Sequence, residues 1–141
     1  MDYVFDMDGT LADASHRLHF IEREPKDWDS FFEAMGDDKP IRHVIAIARA
    51  LEAAGHGVDI WTGRPNGYRR HTVRWLEKHG VPWHWLRMRD DGDRRPDHVV
   101  KMEWLAEMTS PIDAVFEDRM RVVAAWRAAG VPCYQVASGN F

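Results

Sequence analysis

The chain switches repeatedly between short apolar runs of strand length and longer stretches with apolar residues at helical spacing, the pattern of an α/β protein. Tyr3-Val4-Phe5 predicts a first strand that runs straight into an acidic cluster. Residues 41–54 (IRHVIAIARALEAA) read as a helix stopped by Gly55. Val58-Asp59-Ile60-Trp61 predicts the next strand, followed by a turn over residues 62–67, TGRPNG. A helix over 68–79 again ends at a glycine, Gly80. A strand at 85–88, a helix over 97–108, a strand at 114–116, a helix over 119–129 ahead of Gly130 and a strand at 131–136 complete the series.

About five strands separated by helices predict a Rossmann-like three-layer sandwich around a central parallel sheet with right-handed crossovers. Residues 12–40 break the alternation. Two short helices are expected there, over 14–21 and 28–35, split by Glu24-Pro25-Lys26, and we read the segment as a small helical cap insertion over one end of the sheet. No internal repeat or low-complexity tract is visible.

The 141 residues suit one domain spanning 1–141, and 45% hydrophobic with 30% charged residues fits a packed globular core and not a disordered chain. The net charge of −4 argues against indiscriminate polyanion binding while leaving room for a local basic cleft. Fifteen of the 19 basic residues are Arg, a bias that fits bidentate phosphate recognition as well as simple base composition of the gene. Cys133 is the sole cysteine and lies in an apolar stretch, which excludes an internal disulfide and a cysteine zinc site and reads as a buried structural thiol. No apolar run approaches the ~20 residues needed to span a bilayer, and the N-terminus lacks the features of a signal peptide. A cytoplasmic protein without membrane attachment is the expectation.

In open parallel sheets, ligands gather at the carboxyl ends of the strands. There the sequence places Asp6-Met7-Asp8-Gly9-Thr10 after the first strand, Thr62-Gly63-Arg64 after the second and Glu117-Asp118-Arg119 after the fourth. Lys101 sits one turn into the helix that follows the third. Each element alone is weak: a D-x-D is commonly a solvated turn, and T-G is commonly a helix cap. Together they point to metal-assisted phosphoryl transfer. Clustered carboxylates repel one another unless a cation lies among them, and an all-oxygen set suggests Mg2+. One aspartate can then act as nucleophile while its neighbour two residues on moves the proton.

DMDGTLAD, WTGR, VVK and FEDR, in this order and spacing, resemble the four motifs of the haloacid dehalogenase superfamily of phosphotransferases across essentially the whole chain. The resemblance implies that Asp6 forms an aspartyl-phosphate. It implies that Asp8 protonates the leaving group, activates water and ligates the metal through its carbonyl. By the same mapping Thr62 hydrogen-bonds the phosphoryl group, Lys101 neutralises it, and Glu117 and Asp118 hold magnesium, with Asp118 the direct ligand. Asp6 and Asp8 complete the metal set.

A narrower similarity is to the phosphatase domain of phage-type polynucleotide kinase/3′-phosphatases. It is carried by Arg89-x-x-Gly92-Asp93-x-Arg95-x-Asp97-x-Val99-Val100-Lys101, by Asp118-Arg119-x-x-Val122-Val123-x-x-Trp126-Arg127, and by the ending Gln135-Val136-Ala137-Ser138-Gly139-x-Phe141. It implies that Arg17 and Arg64 contact substrate phosphate, with Gly63 and Arg89 as further substrate-binding positions, and that Asp97 orients Lys101 across an i,i+4 step. Two departures stand out: Glu117 replaces the aspartate usual in the relatives, and the 12–40 insertion is longer and more helical. No G-x-x-x-x-G-K-[ST] loop occurs, so no kinase activity is expected here, and a separate kinase or ligase partner would complete end healing.

The substrate this implies is a phosphorylated nucleic acid end; the alternatives are free nucleotides or other small phosphomonoesters, or a non-catalytic module that binds phosphate ends. Trp75, Trp104 and Trp126 read as core residues, whereas Trp28 and Phe31-Phe32 in the insertion suit stacking on a base or closing over the site. Arg69, Arg70 and Arg74 read as a solvated helix face that can also flank an oligonucleotide. The eight histidines, His16 among them, show no zinc-like clustering and read as surface or capping residues.

Overall fold

The computed structural model describes residues 2–139; Met1, Asn140 and Phe141, with them the last residue of the C-terminal string noted above, lie outside the described residues. Strand β1 (Asp2–Phe5) leads into a cap bracketed by the two-residue strands β2 (Ala12–Asp13) and β3 (Lys39–Pro40), which pair antiparallel. Between them lie α1 (His19–Glu22) and α2 (Trp28–Glu33), with 3-10 turns at Ser15–Arg17 and Ala34–Asp37. The chain continues through α3 (Arg42–Ala53), β4 (Gly57–Pro65), α4 (Arg69–Lys78), β5 (Trp85–Arg89), α5 (Asp97–Ala106), β6 (Ala114–Arg119), α6 (Met120–Ala128) and β7 (Cys133–Gly139).

The five long strands form one parallel sheet in the order β5-β4-β1-β6-β7. Alternating side chains divide its core between two faces. Phe5, Ile60 and Phe116 pack with α3 and α4 through Val44, Ile45, Trp75 and Leu76. Val4, Trp61 and Val115 pack on the other face with Val100, Trp104, Val122 and Trp126 of α5 and α6. The result is the expected helix–sheet–helix sandwich, and the three helical tryptophans are buried in it. Full burial of such side chains stabilises the fold by roughly 1.5–3 kcal/mol each. No described helix is long and apolar enough to cross a membrane.

The chain runs outward from β1 through β4 to β5, then returns to the other side of β1 for β6 and β7. This reversal makes the carboxyl end of β1, flanked by β4 and β6, the crevice of the sheet. Two strands reach further into that crevice than the apolar pattern indicates. The expected turn at 62–67 is instead strand as far as Pro65, with a register shift against β5 between Thr62 and Pro65. The cause is that Arg64 is turned fully inward, so polar residues continue a strand whose apolar run stops at Trp61. β6 likewise continues through Glu117 and Asp118, both buried. The cap is less helical than expected, because Ser15–Arg17 and Ala34–Asp37 form 3-10 turns; α2 starts where expected, at an Asp27 side chain that accepts the Ser30 amide N–H at 3.0 Å, and ends at Glu33.

Candidate active site

Asp6 is the first residue beyond β1, and its amide N–H still donates to the Phe116 carbonyl at 3.0 Å, so the sheet fixes its position. The chain then turns tightly, with the Met7 carbonyl accepting from the amides of Thr10, Leu11 and Ala12. Gly9 makes the turn at φ +84°, and a Cβ there would lie 2.0 Å from Oδ2 of Asp118. Backbone conformation and space both require glycine at this point.

Lys101 is the hub of the buried charges. Its Nζ lies 2.7 Å from Oδ1 of Asp6, 2.9 Å from Oε2 of Glu117 and 3.1 Å from Oδ2 of Asp97, one helical turn back. Burial opposes the ammonium, but Asp6, Asp97 and Glu117 outweigh it and hold its pKa well above the ordinary lysine value. Asp97 is pulled down in turn, against burial, chiefly by Lys101. Asp6 is pushed well up by burial and by Glu117.

Glu117 and Asp118 divide the work of the fourth motif. Oε1 of Glu117 accepts the amide N–H groups of Asp118 (3.1 Å) and Arg119 (3.3 Å), while Oε2 takes Lys101. Both oxygens thus take part in shaping the strand end and holding the lysine. The Asp118 carboxylate accepts a long bond from the Thr10 hydroxyl, 3.4 Å, and its carbonyl is anchored by the Gln135 amide. Burial and the charge of Asp6 push its carboxyl up to about 7.

Asp6, Glu117 and Asp118 each present a carboxylate oxygen, all within 4.8 Å of one another. Lys101 pairs with Asp6, Asp97 and Glu117, so the buried carboxylates here outnumber the ammonium that balances them. An all-oxygen, buried cluster of this kind fits a hard divalent metal.

Asp8 faces the opposite charge. Its Oδ1 lies 2.6 Å from Nη2 of Arg17 and 2.5 Å from Nη2 of Arg64. Burial alone would raise its pKa, but the two guanidiniums prevail and hold it well below the usual carboxylate range. Both arginines are 0% exposed, so they sit behind Asp8 and reach the crevice through its carboxylate. Arg64 also donates to the Thr72 hydroxyl at 3.1 Å, and the Arg17 guanidinium lies 4.3 Å over the Phe31 ring. Thr62 is buried, and its hydroxyl accepts the Arg64 amide N–H at 3.2 Å.

Gly63 links the two halves. A Cβ at Gly63 would approach Oδ1 of Asp97 to 2.4 Å, so the bulged strand passes directly against the carboxylate that holds Lys101. Arg89 braces this passage, donating from Nε to the Gly63 carbonyl at 2.9 Å and from Nη1 to the main chain of Asp93 and Arg95. Its guanidinium is thus engaged within the protein.

One residue of this site is not apparent from sequence. Asp38, buried at the end of the cap, accepts Nε and Nη2 of Arg17 at 2.8 and 2.6 Å, Nη2 of Arg64 at 3.2 Å and, on Oδ1, a 2.7 Å contact with His16 Nε2. The Trp75 indole donates to its carbonyl. Neither its neighbour Asp37 nor its distance from Asp8 in the chain marks it out. His16, read as a surface residue, is the fourth contact of this carboxylate.

A model of the family described as the polynucleotide kinase PNKP phosphatase domain matches residues 2–141. The chain belongs to that family. It is accordingly a phosphatase of the haloacid dehalogenase type. A chain in the structure of a Pnkp1/Rnl/Hen1 complex is 30% identical, with a TM-score of 0.83 over 99% of this chain and 46% of that one. This chain therefore spans less than half the length of that relative. Two more distant structures share the fold. A class C acid phosphatase from Bacillus anthracis is 17% identical at TM-score 0.66, covering 96% of this chain and 67% of its own. A haloacid dehalogenase-like protein from Streptococcus pneumoniae is 13% identical at TM-score 0.63, covering 95% and 83%.

Proposed function

We propose that this phosphatase domain removes the terminal 3′-phosphate of a nucleic acid strand by magnesium-dependent hydrolysis through a covalent phosphate on Asp6. The observation that carries this reading is the pairing of two carboxylates two residues apart with opposite surroundings. Asp6 is held by an ammonium at the metal-type cluster, and Asp8 is held by two guanidiniums. The match of residues 2–141 to the family described as the polynucleotide kinase PNKP phosphatase domain supports a nucleic acid substrate.

In the first step an Asp6 carboxylate oxygen attacks phosphorus. The bond to the 3′-oxygen breaks, and the departing oxygen takes its electron pair and a proton from Asp8. The negative charge of the incoming phosphate favours the protonated form of Asp8 needed for this. In the second step water attacks the phosphorus of the aspartyl-phosphate, Asp8 accepts the water's proton, and the Asp6 carboxylate departs as inorganic phosphate is released. Arg17 and Arg64 favour the ionised Asp8 that this step requires. Lys101 neutralises the phosphoryl oxygens, Asp97 and Glu117 hold the lysine in place, and the Thr62 hydroxyl donates to a phosphoryl oxygen. Asp6, the Asp8 carbonyl and Asp118 are the groups that would hold magnesium, whose charge lets a phosphate approach the Asp6 carboxylate. Arg17 and Arg64 influence the phosphate through Asp8, and Gly63 and Arg89 act by shaping the strand end beside it.

A related chain occurs in a complex described as an RNA repair complex. That supports a role in end healing alongside a kinase or ligase partner. The test is phosphate release, with magnesium, from a 3′-phosphorylated oligonucleotide, a 5′-phosphorylated one and free mononucleotides. Preference for the 3′-phosphorylated strand is expected. Equal or better turnover of mononucleotides moves the function to small phosphomonoesters, and release from none of the three leaves only a phosphate-binding module.

A further inference from the structure

The cap carries an aromatic cluster that meets Tyr68 at the head of α4, and α4 carries exposed arginines beyond it. Trp28 is 42% exposed, and its ring stacks on Phe32 with centroids 5.9 Å apart and planes at 23°. Phe32 in turn meets Tyr68, at the start of α4, at 5.3 Å. Lys26 Nζ lies 5.9 Å from the Trp28 ring. On the face of α4 turned away from Thr72 and Trp75 lies a groove of about 620 Å³, lined by Arg69, Arg70, Val73 and Arg74 and closed at its far end by Glu77. Arg69 is engaged by Asn66 and the Leu86 carbonyl, whereas Arg70 and Arg74, one helical turn apart and exposed, make no ion pair among the described residues.

The ring end of this surface is also tied to the crevice. Phe31 packs edge-on against Trp28 at 5.6 Å and against Phe32 at 5.2 Å. The Arg17 guanidinium covers Phe31 and, by its Nη2, holds Asp8.

We infer that this surface is the path of the single strand whose 3′-end enters the crevice, with bases stacking on Trp28 and Phe32 and phosphates lying over Arg70 and Arg74. The proposal rests on the polynucleotide reading above and specifies how the polymer, as opposed to its terminal phosphate, is recognised. Ring faces and guanidiniums complement the bases and phosphates of a strand, with the positive charge confined to the α4 arginines. The charges fix the division of labour. Asp29, Glu33 and Asp91 lie near Tyr68, so the phosphates belong over the α4 arginines and not over the rings.

The experiment compares kinetics of the full chain on a 3′-phosphorylated oligonucleotide of about eight residues and on a nucleoside 3′-monophosphate. The proteins are wild type, Trp28→Ala, Trp28→Phe and Arg70→Ala/Arg74→Ala. Wild type is expected to show the lower KM on the oligonucleotide. Trp28→Ala raises that KM about tenfold, the scale of one lost base stack. It leaves kcat and the mononucleotide kinetics unchanged, and Trp28→Phe restores most of the loss. The arginine double variant flattens the salt dependence of the oligonucleotide KM. If wild type prefers the oligonucleotide and none of the variants alters its KM or salt slope, the path proposed here is wrong while the polynucleotide reading stands. If wild type shows no preference for the oligonucleotide, that reading fails and the path fails with it.

Discussion

Removing the Asp38 carboxylate is the most informative single change to the proton-transfer half of the site. It accepts two hydrogen bonds from Arg17, one from Arg64 and a contact from His16, all within 3.2 Å. In Asp38→Ala the two fully buried guanidiniums share only the Asp8 carboxylate, and one positive charge is left without an anion. Breaking a buried pair in this way costs about 3–5 kcal/mol, less than the sum of its separate bonds because they act as one network. For a chain of this length that is a fall in melting temperature on the order of 10 °C. Asp38→Asn keeps the shape and one acceptor and should lose less. The catalytic effect has its own signature. General acid catalysis contributes about 10²- to 10⁴-fold, and Asp38 acts on it at one remove, through the arginines that position Asp8. A fall in kcat of about 10- to 100-fold is expected for an alkyl leaving group such as a nucleoside 3′-phosphate. p-Nitrophenyl phosphate, whose leaving group needs no proton, should lose no more than about threefold by the same reasoning. Melting curves and steady-state kinetics on the two substrates, with Asp38→Asn as the gentler variant, measure both quantities. An equal loss on both substrates assigns Asp38 a structural role only, and an unchanged melting temperature contradicts the energetics of the buried network.

Three further expectations follow from the metal half. Asp118→Asn should weaken magnesium dependence, read as a rise in the ion concentration for half-maximal rate. Glu117→Gln should instead lower thermal stability, because it weakens the hold on Lys101, so titrations and melting curves on the pair separate ligand from brace. Gly63→Ala places a methyl 2.4 Å from an Asp97 oxygen. By displacing the support of Lys101 it should lower kcat at least about tenfold with little change in KM, since only a group used in the reaction is moved. The pH dependence has a definite sign. Asp118 is raised to about 7 from an unfolded value near 4, so the folded state holds the extra proton between these limits. Metal-free protein should therefore lose stability as pH rises from about 4 to about 7. Added magnesium should raise the melting temperature more at pH 8 than at pH 5, because the ion requires the ionised carboxylate. A melting temperature that climbs over this range without metal contradicts the assignment.

The fold was legible because apolar runs of period two and period 3.6 alternate cleanly, and the glycines after α3, α4 and α6 punctuate them. Much of the candidate site was legible because its carboxylates follow or end strands, where few polar residues would otherwise be buried. What escaped did so for physical reasons. Thr62, Gly63 and Arg64 look like a turn because a strand is recognised by apolar alternation, and here polar residues continue it inward. Glu117 stands among the metal-type carboxylates, and its further bonds to Lys101 and to the Asp118 and Arg119 amides become visible only with the backbone in place. Arg17 and Arg64 carry no mark of the carboxylate they face. Asp38 lies beyond any local pattern, since its partners come from the cap, β4 and α4.

The most direct test of the proposed mechanism is to trap the phosphoryl group on the protein. Wild-type enzyme is mixed with a 3′-phosphorylated oligonucleotide labelled in the terminal phosphate and quenched in acid within the first turnover, with Asp6→Asn treated in parallel. Label should appear on the wild-type chain at Asp6 and be released by hydroxylamine, with neither label nor turnover in the variant. Near-normal phosphate release by Asp6→Asn, or turnover without any protein-bound label, would show that Asp6 is not the nucleophile.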